Sequence, residues 1–150
     1  MTIDERAERV IPLPPGQVAE YAMDWRHDAD WTQGIREATL TREADGGGFG
    51  VGAEVTRTAH FLGKRMNYVL RVAEFEPPGL LDMVSVAGPM PMHITYTFAP
   101  HQCGTLAGIR VRGDAGRYYR LAAPIMARKV RSSIGKDLRD LERKLLEPPS

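Results

Sequence analysis

The side chains that could do chemistry are few in this chain, and they are scattered. Four histidines (His27, His60, His93, His101) and one cysteine (Cys103) are the candidates for acid–base or nucleophilic work. His60 and His93 fall on the polar parity of alternating segments and His101 sits in a turn. None has an evident partner, so the acid–base signal is weak. A thiolate nucleophile needs a base nearby, and only His101 is close to Cys103 in sequence. No G-x-S-x-G run is present, which argues against a serine esterase elbow. The run Arg26-His27-Asp28-Ala29-Asp30 groups three possible metal ligands. Neighbours on a helix point in different directions, however, whereas a metal needs converging ligands. Capping of a helix start is the expected role of these carboxylates, and neither a metal nor a cofactor is expected. Gly46, Gly47, Gly48, Gly50 and Gly52 do not read as a phosphate loop. Such a loop opens onto a helix N-terminus, and this one opens onto a strand. A turn or a lip at a cavity mouth fits better.

Arg57 stands apart. It shares the parity of Val55, Ala59 and Phe61. If that parity faces inward, the guanidinium must pair with a carboxylate or orient the carbonyl or acid group of a ligand. If the threonine parity (Thr56, Thr58) is the inner one, Arg57 is solvated. Threonine suits either side of a strand, so the alternation leaves both open.

Whatever positions these groups is an unbroken series of short strands followed by a long helix. Residues 5–11 read as a first strand ending at Pro12. Pro15 opens a short helix over about 16–23, because a proline's missing N–H is unpaired there in any case. A second short helix is expected over Asp28 to Gln33, with Trp31 burying one face. Strands then follow over Ile35–Arg42, Val51–Phe61, the alternation Met66, Tyr68, Leu70, Val72, then Leu80–Val86, the alternation Met92, Ile94, Tyr96, Phe98, and finally Thr105, Ala107, Ile109, Val111. Period-two alternation means one packed face and one wet face. From about Tyr118 to Leu146 the period changes. Met126, Val130, Ile134, Leu138, Leu141 and Leu145 recur at steps of four and three, and Pro148-Pro149 ends the helix. A helix of that length beside such a sheet packs on its concave side.

Composition bounds the rest. The chain has 150 residues, 43% apolar and 26% charged, with a net charge of +1. That suits one domain over residues 1–150 and gives no global case for nucleic acid. The stretch Tyr118–Glu147 nevertheless carries eight Lys and Arg against four Asp and Glu. Such a helix is either a solvated outer face or a surface for acidic partners or lipid headgroups. With a single cysteine, no disulfide within the chain is possible. No apolar run approaches the ~20 residues of a membrane span, and no signal-peptide h-region is visible. A cytoplasmic protein is expected; the oligomeric state stays open.

The order of these segments resembles the START/Bet v 1-like superfamily, and more closely its bacterial polyketide cyclase/dehydrase-like family. The resemblance is carried by IPLPPGQVAEYAMD, DADW, DGGGFGVGAEV, RVAEFEPPGLL, YTFAPHQCGT and DLRDLERKLLE, in this order over nearly the whole chain. It implies an α+β helix-grip fold: a curved antiparallel sheet of six to seven strands around a long C-terminal helix, with two short helices after the first strand. It also implies an internal cavity for an apolar small molecule or lipid, in a superfamily that holds carriers as well as polyketide aromatase/cyclases. The residues expected to line that cavity are Trp31, Phe61, Tyr68, Leu70, Met83, Tyr96, Ile109, Met126 and Val130, with Arg57 or Tyr68 as the polar handle. Tyr118 and Tyr119 are further candidates. Binding, and transport with it, is the leading function. A polyketide aromatase/cyclase or dehydrase is the first alternative, with no catalytic residues assigned. The second is a protein-interaction or toxin-like factor using Arg128, Arg131 and Lys136.

Overall fold

The computed structural model describes residues 3–32, 34–114 and 122–148. Strand β1 (Ile3–Ile11) is followed by helix α1 (Pro15–Ala22), a 3₁₀ turn (Trp25–His27) and the single-turn helix α2 (Asp28–Trp31). Six strands succeed one another: β2 (Ile35–Arg42), β3 (Glu54–Phe61), β4 (Lys64–Glu76), β5 (Leu80–Ala87), β6 (Met92–His101) and β7 (Gly104–Gly113). The C-terminal helix α3 (Ala123–Leu146) closes the chain. The strands form one antiparallel sheet in the order β1-β7-β6-β5-β4-β3-β2. This is the helix-grip arrangement expected, with seven strands.

Why the sheet curves around the helix follows from its burial pattern. Val55, Arg57 and Ala59 of β3, Met66, Tyr68, Leu70 and Val72 of β4, Ile94, Tyr96 and Phe98 of β6, and Ala107 and Ile109 of β7 all point to one buried face. Against that face α3 sets Met126, Ile134, Leu138 and Leu141. These recur at helical spacing, so they form one stripe. A fully buried leucine contributes about 1.5–3 kcal/mol, and Leu138 and Leu141 make the later turns of α3 the anchor of the grip. Helix α2 also touches α3, which ties the segment after β1 to the same core.

Several boundaries differ from expectation. Pro15 does open α1. The second short helix ends at Trp31 rather than Gln33, a residue that lies outside the described ones. It is preceded by the 3₁₀ turn, whose first backbone N–H groups are capped by Asp24: its Oδ1 accepts from the Arg26 N–H at 3.0 Å. Asp28 is therefore not the capping residue expected. The strand expected from Val51 begins only at Glu54, because Gly52 turns with φ +91° and leaves Val51 57% exposed. The long helix is seen from Ala123; Tyr118 to Leu121 lie outside the described residues.

Candidate functional site

Between α3 and the sheet lies a cavity of about 150 Å³ at one end of the molecule. The register explains which side chains meet there. Arg57 and Tyr68 are direct cross-strand neighbours on β3 and β4, and Tyr96 and Ile109 on β6 and β7. Alternation puts all four on the concave face. Helix α3 contributes Met126, Val130, Ser133, Ile134 and Asp137, one stripe of its N-terminal half. Met66, Met90, Met92, Phe61 and Ile94 complete the mostly apolar wall. The β5–β6 connection is pressed close here. Gly88 has φ +134°, and a Cβ added to it would lie 2.6 Å from that of Tyr68, so only glycine fits.

The polar end of the cavity is built around one guanidinium. Arg57 is 2% exposed and Asp28 is 3% exposed. The Asp28 Oδ2 accepts from Arg57 Nε at 3.0 Å and lies 2.9 Å from Nη2. Arg57 Nη2 also donates to the Tyr96 hydroxyl oxygen at 3.3 Å. Burial is the largest single influence on Arg57 and opposes its charge, but the Asp28 carboxylate together with Tyr96 and Tyr68 holds the guanidinium well above its ordinary range. Burial pushes the Asp28 carboxyl up, with Arg57 pulling the other way. For the two phenols burial is again the largest influence. It raises Tyr68, and it pushes Tyr96 up to about 12 against the nearby Arg57. Both phenols therefore keep their protons at neutral pH and can donate them. Asp137, 4% exposed on α3, is a second carboxylate in this wall, and its charge is felt by Tyr68 and Tyr96. Thr32 also borders the space, and its Oγ1 has no hydrogen-bond partner among the described residues.

Of the residues expected to line a cavity, Arg57, Phe61, Tyr68, Tyr96, Ile109, Met126 and Val130 surround this one. Trp31, Leu70 and Met83 do not. They are almost fully buried in the packed core beside it, with the Trp31 ring 5.5 Å from that of Tyr96. Tyr118 and Tyr119 lie outside the described residues. Sequence reasoning missed Asp28 and Asp137. Asp28 read as a cap because it follows other polar residues. Asp137 could have been flagged, since it stands three residues after Ile134 and one before Leu138 on the apolar stripe.

His60, exposed near the end of β3, also borders the cavity; the other chemistry-bearing groups are dispersed. His27 stacks on Tyr21 at 4.1 Å, with its Nδ1 3.1 Å from the Tyr21 carbonyl. On the outer face of the sheet, His93 Nε2 lies 2.6 Å from the Asp82 carboxylate, to which Thr95 also donates. The expectation that His93 has no partner is thus corrected; the two meet only because β5 pairs with β6. Cys103 is exposed, and His101 Nδ1 accepts from its backbone N–H. Among the described residues no group of three or more His, Cys, Asp or Glu could hold a metal ion.

Comparisons with known proteins bear on the family and the fold. The family described as polyketide cyclase / dehydrase and lipid transport matches residues 2–146. The chain belongs to that family. Solved structures show the same fold at low identity. A protein from Thermus thermophilus is 19% identical with a TM-score of 0.78, covering 95% of this chain and 97% of that one. A START superfamily protein from Mycobacterium smegmatis is 9% identical with a TM-score of 0.78, covering 96% of each chain. The Zhui aromatase/cyclase from a Streptomyces species is 13% identical with a TM-score of 0.77, covering 97% of this chain and 94% of that one. No curated protein sequence matches. Among the described residues no helix is long and apolar enough to cross a membrane.

Proposed function

We propose that this family member binds a small apolar molecule, about one ring in size and carrying an oxygen acceptor, between the sheet and the first turns of α3. The observation that carries this reading is the size of the cavity joined to its buried polar cluster around Arg57. About 150 Å³ is below the roughly 300–1,000 Å³ of pockets for drug-sized ligands, while an apolar cavity near that size is known to take benzene. A long acyl chain or an extended polyketide is too large for it. Burying the ring drives binding. Tyr96, whose oxygen already accepts from Arg57, directs its own proton to the ligand, and Tyr68 offers a second.

The membership of the family favours a second reading, in which the bound molecule reacts. Asp137 beside two protonated phenols and a fixed guanidinium supplies a base and donors of the kind that enolisation or dehydration of a ketone needs. The same pocket serves both, and the distinction is turnover.

Titration with a panel of aryl ketones and phenols, followed by the fluorescence of buried Trp31, tests the binding reading. Saturable binding is expected. Tyr96→Phe should weaken it about tenfold, the worth of one good hydrogen bond, and Val130→Trp should abolish it by filling the space. A protein that ignores the whole panel and emerges empty in native mass spectrometry would end this reading. Product formation lost on Asp137→Asn with binding retained would select the enzyme.

A further inference from the structure

The end of the molecule at which the cavity lies exposes three large apolar side chains, Leu62, Val86 and Ile125, among cations, while Val10, Val51 and Leu146 are exposed elsewhere. The β3–β4 turn, the β5–β6 connection, the end of β7 and the start of α3 all gather there, because Phe61, Met90, Gly113 and Met126 border the same space. The β3–β4 turn is made by Leu62 and Gly63, with φ +50° and +79°. A two-residue turn with both φ values positive favours Asn-Gly. Leucine in the left-handed region is strained, and here it is also 39% exposed. Val86, at an irregularity between β4 and β5, is 41% exposed, and Ile125 in the first turn of α3 is 49% exposed. Arg65 on β4 and Arg128 and Lys129 on α3 are exposed close by, and none of the three has an ion-pair partner among the described residues. The acidic groups in this neighbourhood include Asp114, which borders the cavity, and Glu5, which Arg131 holds at 2.6 Å.

The β2–β3 and β4–β5 connections are different in sign. Glu43, Asp45, Glu74 and Glu76 are exposed around the β2–β3 and β4–β5 connections. Arg42 and Arg71 near them are both engaged with Glu54. Within a net charge of +1, unpaired cations thus stand near the cavity and exposed carboxylates at the β2–β3 and β4–β5 connections, while Lys136 and Arg139 are exposed further along α3. Near an anionic surface such a distribution presents the cavity end, and exposed apolar tips between cations enter the headgroup layer of a bilayer.

We propose that the cavity end docks on an anionic lipid surface, with Leu62 and Ile125 inserted and Arg65, Arg128 and Lys129 on the headgroups. The proposal goes beyond the cavity reading and does not depend on which molecule fills the cavity. Co-sedimentation of the full chain with vesicles tests it. Vesicles of phosphatidylcholine with phosphatidylglycerol should capture the protein and vesicles of phosphatidylcholine alone should not, and added salt should release it. Arg128→Ala with Lys129→Ala should lower partitioning about thirtyfold, from roughly 1 kcal/mol per cation. Leu62→Asn, which suits the turn, should lower it about tenfold while leaving the thermal midpoint unchanged or higher. Val51→Ser in the β2–β3 connection should change nothing. Equal binding to both vesicle types, no binding to either, or binding indifferent to the Leu62 and Arg128/Lys129 variants would overturn the proposal. Ring-ligand titration on the same samples reads the cavity separately.

Discussion

The two faces of the sheet carry arginine–carboxylate pairs of similar geometry in opposite surroundings. On the concave face Arg57 meets Asp28 at 2.9 Å with both side chains almost fully buried. On the convex face Arg71 meets Glu54 at 2.7 Å with the arginine side chain 45% exposed. Distance alone does not rank them. Water screens the outer pair and offers either partner a replacement if the other is lost. Inside, a guanidinium left alone has nothing comparable to turn to, so the pair is worth most when one member is removed. The same contrast separates the histidine and tyrosine networks. Asp82, His93 and Thr95 lie half-buried on the outside, while Tyr68 and Tyr96 face the cavity and have their protons held by burial.

The largest expected effect is on the inner pair. Arg57→Ala should destabilise by about 3–5 kcal/mol in urea unfolding, because it strands the Asp28 carboxylate. Joint replacement, Arg57→Met with Asp28→Leu, should cost far less than Arg57→Ala alone. A joint cost as large as that of the single change would mean the pair is not the reason Arg57 is tolerated. Next, Met126→Ala should cost about 2–4 kcal/mol and admit larger ligands, since Met126 separates the core from the cavity. A loss of stability with unaltered ligand size would place it in the core only.

Smaller still is a pH effect. The Tyr96 pKa is raised in the folded chain to about 12 from an ordinary 10. The folded state therefore holds the proton over a range where the unfolded state has lost it. The stabilisation is complete below pH 10 and disappears as pH rises towards 12, about 2–3 kcal/mol in all. Tyr96→Phe should flatten this part of the stability profile; an unchanged slope would show that Tyr96 is not its source. Smallest is the outer pair: Arg71→Ala should change stability by less than about 1 kcal/mol, and a loss comparable to that at Arg57 would erase the contrast between the faces.

How legible was this in the sequence? Strand and helix identity came from periodicity, which is local and survives without knowing what packs on what. Met66, Tyr68, Leu70 and Val72 announce one face of β4 by themselves. The limits of that reading appear at Val51, where alternation continues past the point at which Gly52 turns the chain. They appear again in the lining. Leu70, Met83 and Trp31 share the inward parity or an apolar face with cavity residues, and parity cannot say which inward side chains touch a void and which touch each other.

The order and type of the elements, the inward face of most strands and the apolar stripe of α3 are written locally in the residues, because each depends on spacings within a single segment. The direction of Arg57 was settled by the folded arrangement, since its partner Asp28 lies 29 residues away on another element. That arrangement likewise decided that Asp137 joins Tyr68 and Tyr96 in one wall, and that Leu62 and Ile125 come to the end where the cavity lies. These features arise from the closing of strands and helix upon one another, and no local pattern of residues encodes them.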